Sequence, residues 1–181
     1  HEHGATREDP HAWQSIRNIR VYAGNIAKAL IAHDPEGKAG YDARLAAYVA
    51  RLDTLDAELR GAIAAIPVER RVLTTTHDAF QYLAAEYGLK VQALQGVSAE
   101  NEPSAADMAR IIRQLRALKA PAVFLENVSD PRKLEQIARE SGARIGGTLH
   151  SDALSLANGP APTYIDMMRQ NVAHITKALT P

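Results

Sequence analysis

Apolar residues recur at three- and four-residue steps in two stretches near the start of the chain. Residues 14–34 show this helical spacing, and the breakers Pro35 and Gly37 follow them. Residues 39–66 carry a longer apolar stripe with charged residues on the opposite side, and Pro67 ends it. The stripe consists of Leu45, Val49, Leu52, Leu55, Leu59, Ile63 and Ile66. The pattern predicts two helices. The second would be roughly 42 Å long. A helix of this length either packs in a helical bundle or serves as a rigid connection between two parts of the protein.

After Pro67, short apolar runs alternate with helical patterns. Four runs predict strands, at 71–75, 90–94, 122–125 and 143–145. Helices are predicted over 78–87 and from three further starts, at Ser104, Asp130 and Thr163. Strands separated by helices in this way are typical of βαβ units with a parallel sheet. We therefore expect an α/β fold, with four parallel strands flanked by helices in three layers.

Polar side chains follow each predicted strand. They are Thr76, His77 and Asp78, then Gln95 (followed by Gly96), then Glu126 and Asn127, and finally His150, Ser151 and Asp152. Because ligands collect beyond the carboxyl ends of parallel strands, we expect His77 and Asp152 to open onto one crevice. Ordinary roles stay open: Asp78 as a helix cap, Ser151 or Asp152 as a turn cap, and His77 as a hydrogen-bonded loop residue.

Two His-containing segments lie near the start of the chain. In Asp9-Pro10-His11-Ala12-Trp13, Pro10 stiffens the backbone and Trp13 offers a bulky anchor, so His11 would be held in a fixed pose. The alternative is a helix entry whose Trp simply joins the core. His1-Glu2-His3 could chelate a divalent cation weakly or form a solvated tail.

The amino-acid composition excludes several kinds of binding and catalytic site. The chain has 181 residues, with 21 Lys and Arg against 21 Asp and Glu. This balance argues against a nucleic-acid-binding surface. The hydrophobic fraction of 46% is enough for a core, and no apolar run approaches the ~18 residues of a membrane span. The chain has no Cys, which excludes disulfides, thiolate zinc sites and thiol catalysis. A zinc-like metal would need His and carboxylate ligands.

The sequence gives little support for nucleophilic catalysis, nucleotide binding or glycoside hydrolysis. Ser151 has His and Asp neighbours, but adjacent residues cannot form a relay, and no G-x-S-x-G elbow surrounds it. Gly146-Gly147 fits neither a P-loop nor a dinucleotide fingerprint. Glu100 and Glu102 are sequence neighbours with no indicated partner for glycoside chemistry.

Three motifs, in order along the chain, resemble those of a known family. They are Asp9–Trp13, then Thr76–Leu83 with Tyr87-Gly88-Leu89, then Gly147–Asp152. They resemble the cluster A-I metal-binding proteins, the TroA-like or ZnuA-like solute-binding subunits of bacterial zinc and manganese ABC importers. The resemblance covers essentially the whole chain. It implies a non-enzymatic protein, periplasmic or membrane-anchored outside the cytoplasm, that delivers metal to an ABC permease; a metallochaperone is a further candidate partner.

The resemblance also implies metal ligands. By position, His11, His77 and Asp152 match three of the family's four ligands, while the first, an earlier His, matches no residue here. Imidazoles and a carboxylate suit Zn²⁺. Mn²⁺ is the alternative, although its binders often carry Glu at the position of His77. His1-Glu2-His3 resembles the end of a His-rich loop, and Glu126 could orient an imidazole or bond backbone groups.

The family places its metal between two α/β lobes joined by a long helix. Residues 1–38 then resemble the tail end of the N-terminal lobe, 39–67 the linker helix and 68–181 the C-terminal lobe, with the N-terminal lobe largely missing. We expect the apolar face of 14–34 to pack on that lobe or on a second copy, and the two-lobed protein to bind zinc more strongly. A metal-dependent adhesin and a zinc hydrolase are rival classes, the latter without a convincing general base.

Overall fold

The computed structural model describes residues 8–94, 104–118 and 120–181. The helices are α1 Ile16–His33, α2 Lys38–Ala64, α3 Gln81–Tyr87, α4 Ala105–Leu118, α5 Arg132–Ser141 and α6 Tyr164–Leu179. The strands are β1 Val72–Thr75, β2 Lys90–Ala93, β3 Ala122–Glu126 and β4 Arg144–Leu149. Short 3-10 turns cover Ala12–Gln14 and Val68–Arg70. This order confirms the predicted α/β alternation.

Several residues singled out in the sequence lie outside the described ranges. They are His1, Glu2, His3, Gln95, Gly96, Glu100 and Glu102. Among the residues that are described, no helix combines the length and the apolar character that crossing a membrane requires.

Capping side chains explain where α4 and α6 begin. The Ser104 hydroxyl accepts from the Asp107 backbone N–H at 3.2 Å and donates to its carboxylate at 2.6 Å. Thr163 and Asp166 repeat this arrangement at the start of α6. The predicted start of α3 at Asp78 was three residues early. The Asp78 carboxylate accepts from the Gln81 side chain at 2.8 Å and caps no backbone group of the helix.

The four strands form two parallel pairs, β1 with β2 and β3 with β4. β1 lies beside β3, so the spatial order is β2-β1-β3-β4. Within the described ranges, backbone hydrogen bonding does not join β1 to β3, so the expected four-stranded ladder is split in two. A side chain bridges the split, because Glu126 at the end of β3 accepts from the His77 backbone N–H just after β1.

Helices cover both faces of the strands, as a three-layer fold requires. One buried cluster joins α2, α3 and α6 to β1 and β3, and a second packs α4 and α5 against β3 and against Leu94, the residue after β2. The chain steps from β1 outward to β2 and then crosses back to β3. The junction of β1 and β3 is therefore a topological switch point, the usual ligand-binding position in such sheets.

α1 and α2 pack against each other across the short turn at 34–37. The second half of α2 is buried through Leu52, Leu55, Leu59 and Ile63, whereas Leu45 and Val49 are half-buried. Ile16 at the start of α1 is fully buried, but the side chains of Val21, Ile26 and Leu30 are 57%, 60% and 43% exposed. The apolar face predicted for 14–34 is therefore only partly covered within this chain.

Candidate metal centre

His11 lies in the segment that enters the first 3-10 turn, and it is held by Asp9. One Asp9 oxygen, Oδ1, accepts from the His11 backbone N–H at 2.9 Å and lies 2.7 Å from His11 Nδ1. The His11 ring also packs edge-on against Trp13, with ring centroids 5.4 Å apart. The imidazole is buried, and its remaining nitrogen, Nε2, faces the ends of the strands.

The residues after His11 bind the loop that follows β4. Trp13 Nε1 and Gln14 Nε2 both donate to the carbonyl of Ser151, at 2.9 and 2.8 Å. The Tyr164 hydroxyl, at the start of α6, donates to the carbonyl of Trp13 at 2.9 Å. Trp13 therefore anchors His11 next to the β4 loop, in addition to packing against the core.

His77 follows β1, and a carboxylate from β3 holds it. Its backbone N–H donates to Glu126 Oε1 at 2.9 Å, and its Nδ1 lies 2.5 Å from Glu126 Oε2. The Thr75 hydroxyl donates to the His77 carbonyl at 2.9 Å. Both His77 and Glu126 are buried, so the ring is fixed with Nε2 directed away from Glu126.

Asp152 lies on the loop after β4, and the side-chain amides of Asn171, which is buried, and Asn127, which is exposed, hold that loop. Asn171 accepts from the His150 N–H at 2.8 Å and donates to the His150 carbonyl at 2.9 Å. Asn127 accepts from the Ser151 N–H at 3.3 Å. The Asp152 side chain remains 31% exposed, and it is the one member of the site that reaches solvent to this extent.

Three predicted site residues meet at this point. Asp152 Oδ1 lies 3.3 Å from His11 Nε2, and Asp152 Oδ2 lies 3.0 Å from His77 Nε2. The two imidazole rings are in edge contact, with centroids 5.2 Å apart. One ligand atom from each residue can be chosen so that all lie within 4.8 Å of one another. Two imidazole nitrogens and a carboxylate thus converge at the β1–β3 switch point.

The charge balance of the site favours a cation. Burial lowers the pKa of His77, but the carboxylates of Asp152 and Glu126 outweigh burial and raise this pKa to about 10. Contact with His77 holds the pKa of Asp152 below its usual range, against the opposing effect of burial. The same carboxylates that hold a proton on His77 would stabilise a divalent ion beside Nε2.

The other polar candidates lie apart from this cluster. His150 Nδ1 is 3.3 Å from the carbonyl of Ala153, so His150 is a hydrogen-bonded loop residue. Ser151 is fully buried and contributes its backbone to the loop. Gly146 and Gly147 form an irregularity in the pairing of β3 with β4, which explains this glycine pair without a phosphate.

Sequence reasoning missed several residues that support the site. The sequence patterns assign no role to Asp9, Gln14 or Asn171. Asp9 two residues before a His is a short-range signal that could have suggested the contact with Nδ1. No comparable signal exists for Gln14 and Asn171, since their partners lie far away along the chain.

Comparison with known proteins gives consistent matches. The family model described as zinc-uptake complex component A, periplasmic, matches residues 1–178. The chain is 39% identical to the iron-binding protein YfeA of Yersinia pestis, over 93% of this chain and 54% of that protein. It is 33% identical to the manganese ABC transporter substrate-binding lipoprotein PsaA of Streptococcus pneumoniae, over 97% of this chain and 56% of that protein.

A solved structure extends the likeness to three dimensions. The periplasmic zinc-binding protein TroA from Treponema pallidum superposes with a TM-score of 0.92 at 34% identity. The match covers 96% of this chain and 64% of that one. The chain thus spans about half the length of the curated relatives described above.

Proposed function

The chain belongs to the zinc-uptake component A family of metal-binding substrate-binding proteins of ABC transporters, and from this we propose that it captures Zn²⁺ for an ABC permease. His11, His77 and Asp152 are the proposed ligands. The observation that carries the proposal is the convergence of two imidazole Nε2 atoms and one carboxylate at the β1–β3 switch point. The metal is cargo in this account.

An extracytoplasmic location accompanies this function. The matching family model is described as periplasmic, and PsaA is named a lipoprotein. Both descriptions agree with the location expected from the sequence. A protein held outside the cytoplasm can collect scarce ions and present them to a permease in the membrane.

The donor set supports zinc over manganese. Zn²⁺ is commonly held by imidazole nitrogen and carboxylate oxygen in tetrahedral sites. Mn²⁺ prefers more oxygen ligands, and affinity for a given site generally rises from Mn²⁺ through Fe²⁺ to Cu²⁺, with Zn²⁺ above Mn²⁺. The relatives bear names with iron, manganese and zinc, so membership in the family leaves the ion open. Manganese is the second candidate cargo.

A catalytic role has less support than a binding role. A zinc hydrolase needs a general base near the metal-bound water. The carboxylates of Asp9 and Glu126 lie next to the site, but each is engaged by an imidazole. The relatives named above are binding proteins.

We further propose that residues 39–67 are the linker helix and 68–181 the C-terminal lobe of a two-lobed protein. Residues 1–38 would then be the end of the N-terminal lobe. Three features support this division: the 27-residue length of α2, the α/β order after it, and the exposed apolar side chains of α1.

Calorimetric titration of the metal-stripped chain with Zn²⁺, Mn²⁺ and, without oxygen, Fe²⁺ tests the function. We expect one zinc site, with zinc bound more tightly than the other two ions. His77→Ala and Asp152→Ala should each weaken it, because one of three proposed ligands is lost. His33→Ala is the control, since His33 is exposed at the far end of α1. Absence of zinc binding to the unmutated chain would contradict the proposal.

A further inference from the structure

The two proposed metal-binding imidazoles share a feature that the ligand set alone does not explain. Each has a carboxylate at Nδ1, the nitrogen that faces away from Asp152. Asp9 Oδ1 is 2.7 Å from His11 Nδ1, and Glu126 Oε2 is 2.5 Å from His77 Nδ1. The two carboxylates come from unrelated segments, the N-terminal loop and the end of β3.

An ionised carboxylate accepts hydrogen bonds and cannot donate them. With a cation at Nε2, each neutral ring keeps a single proton, which lies on Nδ1, the nitrogen 2.7 Å from Asp9 Oδ1 in His11 and 2.5 Å from Glu126 Oε2 in His77. The lone pair of each ring is then left on Nε2, and both Nε2 atoms face Asp152 at 3.3 and 3.0 Å. Only this tautomer directs two lone pairs at the same point.

Both carboxylates also hold the backbone of the residue they orient. Asp9 Oδ1 accepts from the His11 N–H at 2.9 Å, and Glu126 Oε1 accepts from the His77 N–H at 2.9 Å. Each histidine is thereby fixed at main chain and ring together. For His77 the anchor is the same side chain that bridges the gap between β1 and β3.

We propose that Asp9 and Glu126 are positioning residues that fix the Nδ1–H tautomer of His11 and His77 and so set both Nε2 atoms for the metal. The inference rests on the proposed metal-binding function and adds two residues outside the ligand set. Carboxylates in such outer positions typically contribute 10- to 100-fold in metal affinity.

The variant Glu126→Gln separates positioning from simple packing. Its amide oxygen can keep the bond from the His77 N–H, while its NH₂ group then faces Nδ1 and donates to it. Nδ1 becomes an acceptor, the ring proton moves to Nε2, and that atom can no longer bind the metal. We expect zinc affinity to fall by about 10- to 100-fold.

Asp9 gives an independent variant pair. Asp9→Asn keeps an oxygen at the position that accepts both His11 bonds and should retain most of the affinity. Asp9→Ala removes both bonds and should lower zinc affinity by about 10- to 100-fold. The controls are Glu36→Gln and Asp42→Ala, which alter exposed carboxylates around the α1–α2 turn.

The experiment is zinc titration of each variant of the 181-residue chain, with circular dichroism to check folding and ¹⁵N NMR of the imidazoles in zinc-saturated samples. The unmutated chain should show Nδ1–H and metal-bound Nε2 for His11 and His77, and Glu126→Gln should lose that signature at His77. Affinities of Glu126→Gln and Asp9→Ala equal to those of the controls would overturn the proposal, as would an unchanged His77 tautomer in Glu126→Gln. If Glu126→Gln does not fold, the zinc affinities of Asp9→Ala and Asp9→Asn, compared with those of the controls, decide the question. Failure of the unmutated chain to bind zinc would instead contradict the proposed function.

Discussion

At the scale of single residues, the position of Asp152 depends on side chains that never touch a metal. The loop after β4 is held at its backbone by amides and an indole from three other segments: Trp13, Gln14, Asn127 and Asn171. Asn171 is almost fully buried, and it bonds both the N–H and the carbonyl of His150. The carboxylate is therefore placed by side chains that bond the backbone of its loop.

Asn171→Ala should destabilise the chain and weaken metal binding together. The substitution leaves the His150 N–H without its partner, at a cost of about 1–3 kcal/mol for that buried group. The His150 carbonyl keeps only the longer contact from Gln14, at 3.5 Å. Urea unfolding measures the loss of stability, and zinc titration measures the loss of affinity. Asn158→Ala, on the exposed part of the same loop, should change neither. Equal unfolding free energies for the two variants would show that Asn171 does not support the loop.

The proposed ligands could be predicted from the sequence because each lies in a short motif or directly after an apolar strand run. His77 and Asp152 meet, as expected from the edge shared by parallel strands. The metal-binding role of His11, His77 and Asp152 remains a prediction. The supporting role of Asn171 could not be predicted from the sequence, because its hydrogen bonds depend on how α6 packs beside β4.

At the scale of elements, the glycine pair in β4 sets the register that leads to Asp152. The pairing with β3 slips by one residue between Val123 and Leu125, opposite this pair. Gly147 has φ +137°, which L side chains rarely adopt, and a Cβ on Gly146 would lie 2.6 Å from the Phe124 ring. The bulge therefore needs both glycines, one for conformation and one for space.

Alanine at either glycine should be destabilising. We expect a loss of about 1–3 kcal/mol for Gly147→Ala from backbone strain and about 1–3 kcal/mol for Gly146→Ala from overpacking. Gly61→Ala is the matched control: Gly61 lies inside α2 with open space around it, so alanine should stabilise by about 0.5–1 kcal/mol. Chemical unfolding of the three variants checks the order. Neutral substitutions at both β4 positions would contradict the role of the bulge.

The order and type of the elements could be predicted because the spacing of apolar residues changes from helical to strand-like after Pro67. The start of α3 and the split between the two strand pairs could not be predicted in this way. The contacts found at these two places, Gln81 with Asp78 and Glu126 with the His77 backbone, form only when the chain folds. Periodicity describes which face is buried, and it carries no information on such bonds.

At the scale of the whole molecule, the proposed site joins three distant parts of the chain. His11 precedes α1, His77 follows β1 and Asp152 follows β4. An ion held by all three would link the N-terminal segment to both strand pairs. Metal binding is then coupled to folding, because the unfolded chain cannot bring these residues together.

Zinc should therefore raise the melting temperature. At free zinc 100 times the dissociation constant, binding stabilises the folded state by about 2.7 kcal/mol. For a chain of this size that corresponds to roughly 5–10 °C. Thermal unfolding with zinc, and again after EDTA, measures the shift and its reversal. His77→Ala should show a smaller shift, and an equal shift in that variant would place the stabilising ion elsewhere.

The central claim is that His11, His77 and Asp152 together hold the metal, and anomalous diffraction at the zinc edge from crystals of the zinc-loaded chain tests it most directly. The account predicts an anomalous peak about 2.0–2.2 Å from His11 Nε2, from His77 Nε2 and from a carboxylate oxygen of Asp152. A zinc peak at other residues, such as His1 and His3, with none at this position would contradict it.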